Sequence, residues 1–319
     1  MNQIVPDSIR DPRVETRMVY ANGYEFEVDV CGDGPRLALC LHGFPEHSIS
    51  WRHQLPMLAD NGYTAWAPNL RGYGNSARPD SMAAYAIEDL MEDVAGLIDA
   101  SGARETVLIA HDWGAVIAWY FAIRQIRPLG KLIICNVPHP GAMSSGGFSF
   151  EQLKRSWYIF FFQIPGLPER MLGRDGADGV GEMIRRTASN PELFPDDLVE
   201  VYSRNASQPG ALTAMVNYYR ALVRGGGARR QQQQGFPVIH TPTLMVWGED
   251  DVALTKETTY GTENYVEDLT IRYLPRVSHW VQQDAPEAVN AMMSAFLNDE
   301  PVPELRWQPT LVPPEAAPD

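Results

Sequence analysis

Residues 108–115, LIAHDWGA, set an aspartate where a short apolar run gives way to helix-forming sequence. Small residues stand two before it and two after it, Ala110 and Gly114. A strand that turns sharply into a helix needs such neighbours, because larger side chains collide in the turn. The central side chain, Asp112, would then project at the carboxyl edge of a sheet, beside a helix N-terminus that favours negative charge. An aspartate at a helix start also reads as an N-cap. The chemistry differs from that of a serine in the same place, and no G-x-S-x-G run occurs in the chain. A carboxylate is a weak nucleophile towards amides. It can displace a leaving group from saturated carbon and so form an ester. The expected substrate therefore offers an electrophilic carbon, such as an epoxide or an alkyl halide.

A second apolar run ends in His42-Gly43-Phe44-Pro45. Gly43 permits close approach of the backbone. The Phe44 N–H can point at the reacting oxygen, with the Trp113 N–H as its partner, and two such donors form an oxyanion hole. His42 is expected to be structural rather than a base. Further along, MVWGEDDVAL (245–254) and LPRVSHWVQQDAP (274–286) supply an acid and a histidine. In the order Asp112, Asp251, His279 they read as nucleophile, acid and base: His279 would take a proton from water and Asp251 would orient the imidazole. Asp250 is a rival orienter. The remaining histidines show no metal-ligand spacing, so neither a metal nor a cofactor is expected.

Positioning these groups requires a sheet. RLALCLHG (36–43), TAWAPNL (64–70), TVLIAHD (106–112), KLIICNV (131–137) and TLMVWGED (243–250) are short continuous apolar runs, the mark of strands buried on both faces. A further strand is expected near 269–274. Residues 14–31 read as two strands joined at Ala21-Asn22-Gly23, where Asn-Gly supplies a tight hairpin turn. Helical spacing appears over 87–101, where Ile87, Leu90, Met91, Val94, Leu97 and Ile98 share a face, and over 115–124 and 286–297. Such alternation predicts an α/β fold, a mostly parallel sheet with helices on both faces. It breaks off after about residue 138. Residues 140–236 carry no strand-like run and read as a helical insertion, with a flexible loop at 224–235 (RGGGARRQQQQG).

Taken together, these residues resemble the epoxide hydrolase branch of the alpha/beta-hydrolase superfamily. The matching blocks are 42–63, 67–79 (APNLRGYGNSARP), HDWGA at 111–115, the acid loop and the Ser-His-Trp segment. Residues 157–169 (WYIFFFQIPGLPE) and 216–220 (VNYYR) resemble cap segments of soluble epoxide hydrolases. The resemblance implies an alpha/beta-hydrolase fold with a helical cap and one epoxide-binding tyrosine from each cap segment. By the Phe-Gln-x-Pro-Gly and Asn-aromatic-Tyr-Arg runs these are Tyr158 and Tyr219, with Tyr218 the competitor for the second. A phenol is acidic enough to donate to an opening epoxide oxygen yet neutral at pH 7. Cap packing is the plainer role for such aromatics. Haloalkane dehalogenases resemble the chain as well. They often carry an Asn after His-Gly as a halide partner to the Trp, where this chain has Phe44. Fluoroacetate dehalogenases place arginines after the nucleophile, where this chain has Trp113. Dehalogenation is thus the alternative activity, and a non-catalytic ligand-binding member of the fold a more distant one.

The expected organisation is a core over 1–138, a cap over 139–237, the rest of the core over 238–300 and a Pro-rich tail over 301–319. Composition is that of a globular protein, with 45% hydrophobic and 21% charged residues. The 26 Lys+Arg against 40 Asp+Glu leave a net charge of −14, which argues against nucleic acid as a partner. No apolar run reaches membrane-spanning length, and the N-terminal residues lack a signal core. Cys31, Cys40 and Cys135 form no CxxC, and a cytoplasmic location is expected. The partners implied are water and a small apolar epoxide, the latter from Trp157, Phe160, Phe161 and Phe162. Oligomeric state stays open between monomer and homodimer.

Overall fold

The computed structural model describes residues 5–146 and 149–304. Eight strands form one sheet: β1 (Glu15–Ala21), β2 (Tyr24–Cys31), β3 (Arg36–Leu41), β4 (Tyr63–Pro68), β5 (Thr106–His111), β6 (Lys131–Cys135), β7 (Thr243–Gly248) and β8 (Leu269–Leu274). Their order is β1-β2-β4-β3-β5-β6-β7-β8. β1 and β2 are antiparallel, β2 pairs antiparallel with β4, and the others run parallel. The Asn22-Gly23 turn is confirmed: Ala21 pairs with Tyr24, and both turn residues have positive φ, 46° and 77°. The two left-handed residues match the right-handed twist of the strands they join.

Alternation along the strands divides the core into two layers. Leu39 and Leu41 of β3 and Leu108 and Ala110 of β5 face one layer, with the helices Ile87–Ser101 and Trp113–Ile123. Ala38, Cys40, Val107 and Ile109 face the other, with the helices Gln54–Asp60 and Pro286–Leu297. Residues buried on both faces explain why the strands read as unbroken apolar runs. The three cysteines are buried free thiols.

The connection from β3 leads to β4 on one side, and that from β4 returns to β5 on the other. The order therefore reverses between β3 and β5. In open α/β sheets the crevice at the carboxyl ends of such a pair is where ligands bind. Asp112 follows β5, and His42–Phe44 follow β3.

Between β6 and β7 the regular elements of the described residues are helices, including Phe150–Arg155, Trp157–Phe161, Asp178–Thr187, Asp196–Ser207 and Ala211–Arg224. One expectation fails here. Residues 224–235 are not a flexible loop, since Gly227–Gln234 form a helix. Of the glycines only Gly227 lies in the helix, at its first position, and the Ala, Arg and Gln residues that follow are good helix formers. Arg230 makes a forked pair with Glu88, Arg124 donates to Gln231 Oε1 at 2.8 Å, and Gln231 is buried. A third apolar cluster, including Ile184, Leu198 and Tyr202 with Ile49 and Trp280, ties this helical stretch to the sheet domain. Of the expected tail, residues 301–304 have no regular structure, and 305–319 lie outside the described residues. No helix among the described residues is long and apolar enough to cross a membrane.

Candidate active site

The turn after β5 is sharp. Asp112 adopts φ 46° and ψ −120°, a conformation costing a non-glycine residue about 1–3 kcal/mol. The end of β3 holds it there. Gly114 N–H donates to the His42 carbonyl at 3.0 Å, and a Cβ on Gly114 would lie 2.3 Å from the Leu41 oxygen. A Cβ on Gly43 would lie 2.3 Å from both Cβ and Oδ1 of Asp112. Only backbone fits between the two strand ends. This closeness lets Phe44 N–H reach Asp112 Oδ1 at 2.6 Å. Trp113 opens the helix that Asp112 caps, so its N–H is among the first-turn donors without an intrahelical acceptor.

His279, on the loop after β8, brings Nε2 to 3.6 Å from Asp112 Oδ2. Its Nδ1 meets Asp251 Oδ2 at 2.7 Å. Asp251, not its rival Asp250, makes this contact; Asp250 is exposed. The Asp251 carboxylate is saturated with donors: Ala253 N at 2.7 Å, Leu254 N at 2.9 Å and Asn136 Nδ2 at 2.8 Å, besides the imidazole. Burial by itself would raise the pKa of Asp251, but the His279 charge and these bonds hold it below the ordinary value. Burial would likewise raise Asp112, and it is overcome by the His279 hydrogen bond and charge and by Phe44 N–H. For His279 burial favours the neutral ring, yet the two carboxylates prevail and its pKa stands well above the usual 6.5. The two carboxylates thus favour the protonated ring.

Both ring nitrogens of His42 face backbone groups. Nδ1 lies 3.0 Å from the Gly43 carbonyl, and Nε2 accepts Leu70 N–H at 3.0 Å. Burial brings its pKa down to about 4.

A cavity of about 660 Å³ opens over Asp112 and His279. Tyr158, from Trp157–Phe161, and Tyr219, from Ala211–Arg224, both line it, with rings 5.7 Å apart. Burial, then the Asp112 charge, pushes both phenols well above their ordinary pKa, so they remain protonated. Tyr218 points away: its hydroxyl donates to the Arg71 carbonyl at 2.8 Å. Of the aromatics at 157–162 besides Tyr158, Trp157, Phe161 and Phe162 line the cavity, and Phe160 is an exposed residue that does not. A larger cleft of about 910 Å³ lies by Arg10, Asp29 and His47. There Arg10 is paired with Asp29 at 2.7 Å, and Thr16 Oγ1 donates to the same carboxylate at 2.7 Å.

Two residues without a role in the sequence reading complete the site. His111 and Glu46 are fully buried. Glu46 Oε2 lies 2.7 Å from His111 Nδ1, and His111 Nε2 lies 2.9 Å from the His279 carbonyl. Both ring nitrogens thus face acceptors. Glu46 also accepts from Gly43 N at 2.8 Å and from Gln282 and Gln283 at 3.0 Å each. One carboxylate thereby joins the loop after β3, the elbow and the segment following His279. The available signal is a pair of polar residues abutting the two motifs at strand ends.

The sheet order and the sharp turn after β5 are those of an α/β-hydrolase fold. A family model described as the alpha/beta hydrolase family matches residues 38–292. The AB hydrolase superfamily protein YfhM of Bacillus subtilis is 34% identical over 290 residues, 90% of this chain and 99% of that protein. Epoxide hydrolase 4 of Mus musculus is 35% identical over 306 residues, 92% of this chain and 83% of that protein. The crystal structure of a Bacillus megaterium epoxide hydrolase in complex with an inhibitor matches with TM-score 0.80 at 31% identity, covering 88% of this chain and all (100%) of that one. The chain belongs to the alpha/beta hydrolase family and, within it, to the epoxide hydrolase family.

Proposed function

We propose that this protein hydrolyses an apolar epoxide to a vicinal diol through an ester on Asp112. The observation that carries the reading is a carboxylate held at the switch point 3.6 Å from an imidazole, beneath a cavity lined by two neutral phenols. An Asp112 oxygen attacks the less hindered epoxide carbon as the C–O bond breaks. Tyr158 and Tyr219 donate hydrogen bonds to the departing oxygen, one phenol passing it a proton that solvent then restores. Residues 139–237 serve as the cap that carries these phenols and excludes bulk water.

Ester formation cancels the Asp112 charge. One of the two carboxylates that hold His279 protonated is then gone, so the imidazole can release its proton and act as base. His279, oriented by Asp251, takes a proton from water as the water oxygen bonds to the ester carbon. Phe44 and Trp113 N–H groups stabilise the oxyanion. Collapse breaks the bond to the leaving oxygen, to which His279 returns the proton, so the diol departs and the water oxygen stays in Asp112. Nothing in this sequence of steps calls on a metal or cofactor.

In a single turnover in 18O-water, mass spectrometry should find the label in the peptide containing Asp112, with an unlabelled diol. Label in the first-turnover diol would overturn the ester route. Asp112→Asn should abolish turnover, since a neutral amide is a far poorer nucleophile; late recovery through deamidation is excluded by the intact mass. Halide release from 1-haloalkanes without diol from any epoxide would favour dehalogenation instead.

A further inference from the structure

Asp284 ends the short helix Val281–Asp284 just after His279, and only 1% of it is exposed. Among the described residues no Lys, Arg or His pairs with its carboxylate. A buried carboxylate without a counter-ion is costly unless donors satisfy it. Three donors do so, from two different parts of the chain. Ser278 Oγ donates to Oδ2. Ser189 N donates to Oδ2 at 2.9 Å and Asn190 N to Oδ1 at 3.1 Å. The Asp284 carbonyl also accepts Asn190 Nδ2 at 2.7 Å. Ser278 directly precedes His279, and its Oγ accepts Trp280 N–H at 3.2 Å, so both neighbours of the imidazole residue are tied to this cluster. Ser189 and Asn190 follow the helix Asp178–Thr187, which lends Met183 and Thr187 to the cavity wall. Trp280 Nε1 donates to Thr187 Oγ1 at 2.8 Å and extends the same seam.

We propose that Asp284 is a positioning residue: its carboxylate latches the His279 loop to the cavity wall and sets the reach of the imidazole for water activation. The inference rests on the ester mechanism proposed above. Its action is confined to one half of the reaction. Asp112 is held by the ends of β3 and β5, and Tyr158 and Tyr219 by the helices Trp157–Phe161 and Ala211–Arg224, none of which Asp284 bonds. A shift of the imidazole near 1 Å leaves its charge beside Asp112, so alkylation keeps its rate, whereas water activation needs the native reach and ester hydrolysis depends on Asp284. An amide cannot take its place, because three donors converge on two oxygens and an NH2 group would face an N–H or O–H.

The experiment is rapid-quench intact-mass analysis of wild type, Asp284→Asn and Ser278→Ala with styrene oxide, with thermal unfolding measured alongside. Ester should form at the wild-type rate in all three. Its decay should slow by about 10²-fold in Asp284→Asn, the scale of a misplacement near 1 Å, and by less in Ser278→Ala, so that ester accumulates at steady state. Parallel slowing of both steps, or wild-type decay, would overturn the positioning role. Where Asp284→Asn does not fold, Ser278→Ala decides: unchanged decay sinks the idea. Diol production by wild type with no ester at any time would overturn the parent mechanism and this inference with it, whereas an ester in wild type that decays equally fast in both variants overturns the latch alone.

Discussion

Asp112 meets two demands that conflict. In the proposed reaction the nucleophile must stay ionised, yet the cavity that would protect its ester is buried. The conflict is resolved by one backbone N–H at 2.6 Å and the His279 ring at 3.6 Å, which keep the carboxyl below its ordinary pKa despite burial. The tyrosines face the opposite requirement and are kept neutral by the same burial and by the Asp112 charge. Tyr158→Phe and Tyr219→Phe should therefore each lower kcat/KM for epoxides, by about 10²-fold if the phenol serves as general acid, with the far-UV spectrum unchanged. Alkylation measured in stopped flow by tryptophan fluorescence checks this. Equal alkylation rates in both variants and wild type would leave the phenols only a packing role.

The elbow depends on two elements meeting without side chains between them. Gly43 and Gly114 are the points of contact, and a Cβ at either would overlap the neighbouring strand end at 2.3 Å. Gly43→Ala should displace Asp112 and Phe44 N–H from one another. We expect kcat/KM to fall by about 10²-fold or more, with secondary structure retained, because the apolar layers on both faces of β3 and β5 are untouched. A crystal structure with the Phe44–Asp112 hydrogen bond intact and normal activity would contradict this. The same scale accounts for the register of Ala211–Arg224. Tyr218 is anchored to the Arg71 carbonyl, and Arg71 in turn forks onto Asp93 of the helix Ile87–Ser101 at 2.5–2.7 Å. With Tyr218 anchored there, its neighbour Tyr219 faces the cavity. Successive helical residues point about 100° apart, so the two tyrosines cannot exchange places.

For the molecule as a whole, the charged cluster links stability to pH in a defined direction. His279 has a raised pKa in the fold. Its contribution is full below the unfolded value of 6.5 and is lost as pH rises through the raised one. Asp112 and Asp251 have lowered values. Theirs is present above 3.8 and is lost as pH falls through the depressed values. The difference in Tm between wild type and His279→Gln should accordingly peak between pH 3.8 and 6.5 and shrink on either side. Calorimetry extended below and above that range tests it, and a difference independent of pH throughout would mean that the imidazole acts through packing rather than charge.

The elbow, the His-Gly-Phe-Pro turn and the strands are legible along the chain because each is written in adjacent residues. A sharp strand-to-helix turn demands small neighbours, and a strand buried on both faces demands a continuous apolar run. Two choices between neighbours, Asp250 against Asp251 and Tyr218 against Tyr219, are invisible there, since composition and spacing serve both equally. They depend on which side chain points inward after folding. The Glu46–His111 pair and the Asp284 latch are further from reach. Glu46 is 65 residues from His111 and 236 from Gln282 in sequence. Glycine-rich residues 224–235 mislead for a different reason, as Gly227 only opens the helix and the residues that follow it are good helix formers. Local sterics and apolar periodicity are short-range and leave their mark in the order of residues. Hydrogen-bond partners of buried charges are chosen by proximity in space, which exists only once the sheet has closed its order.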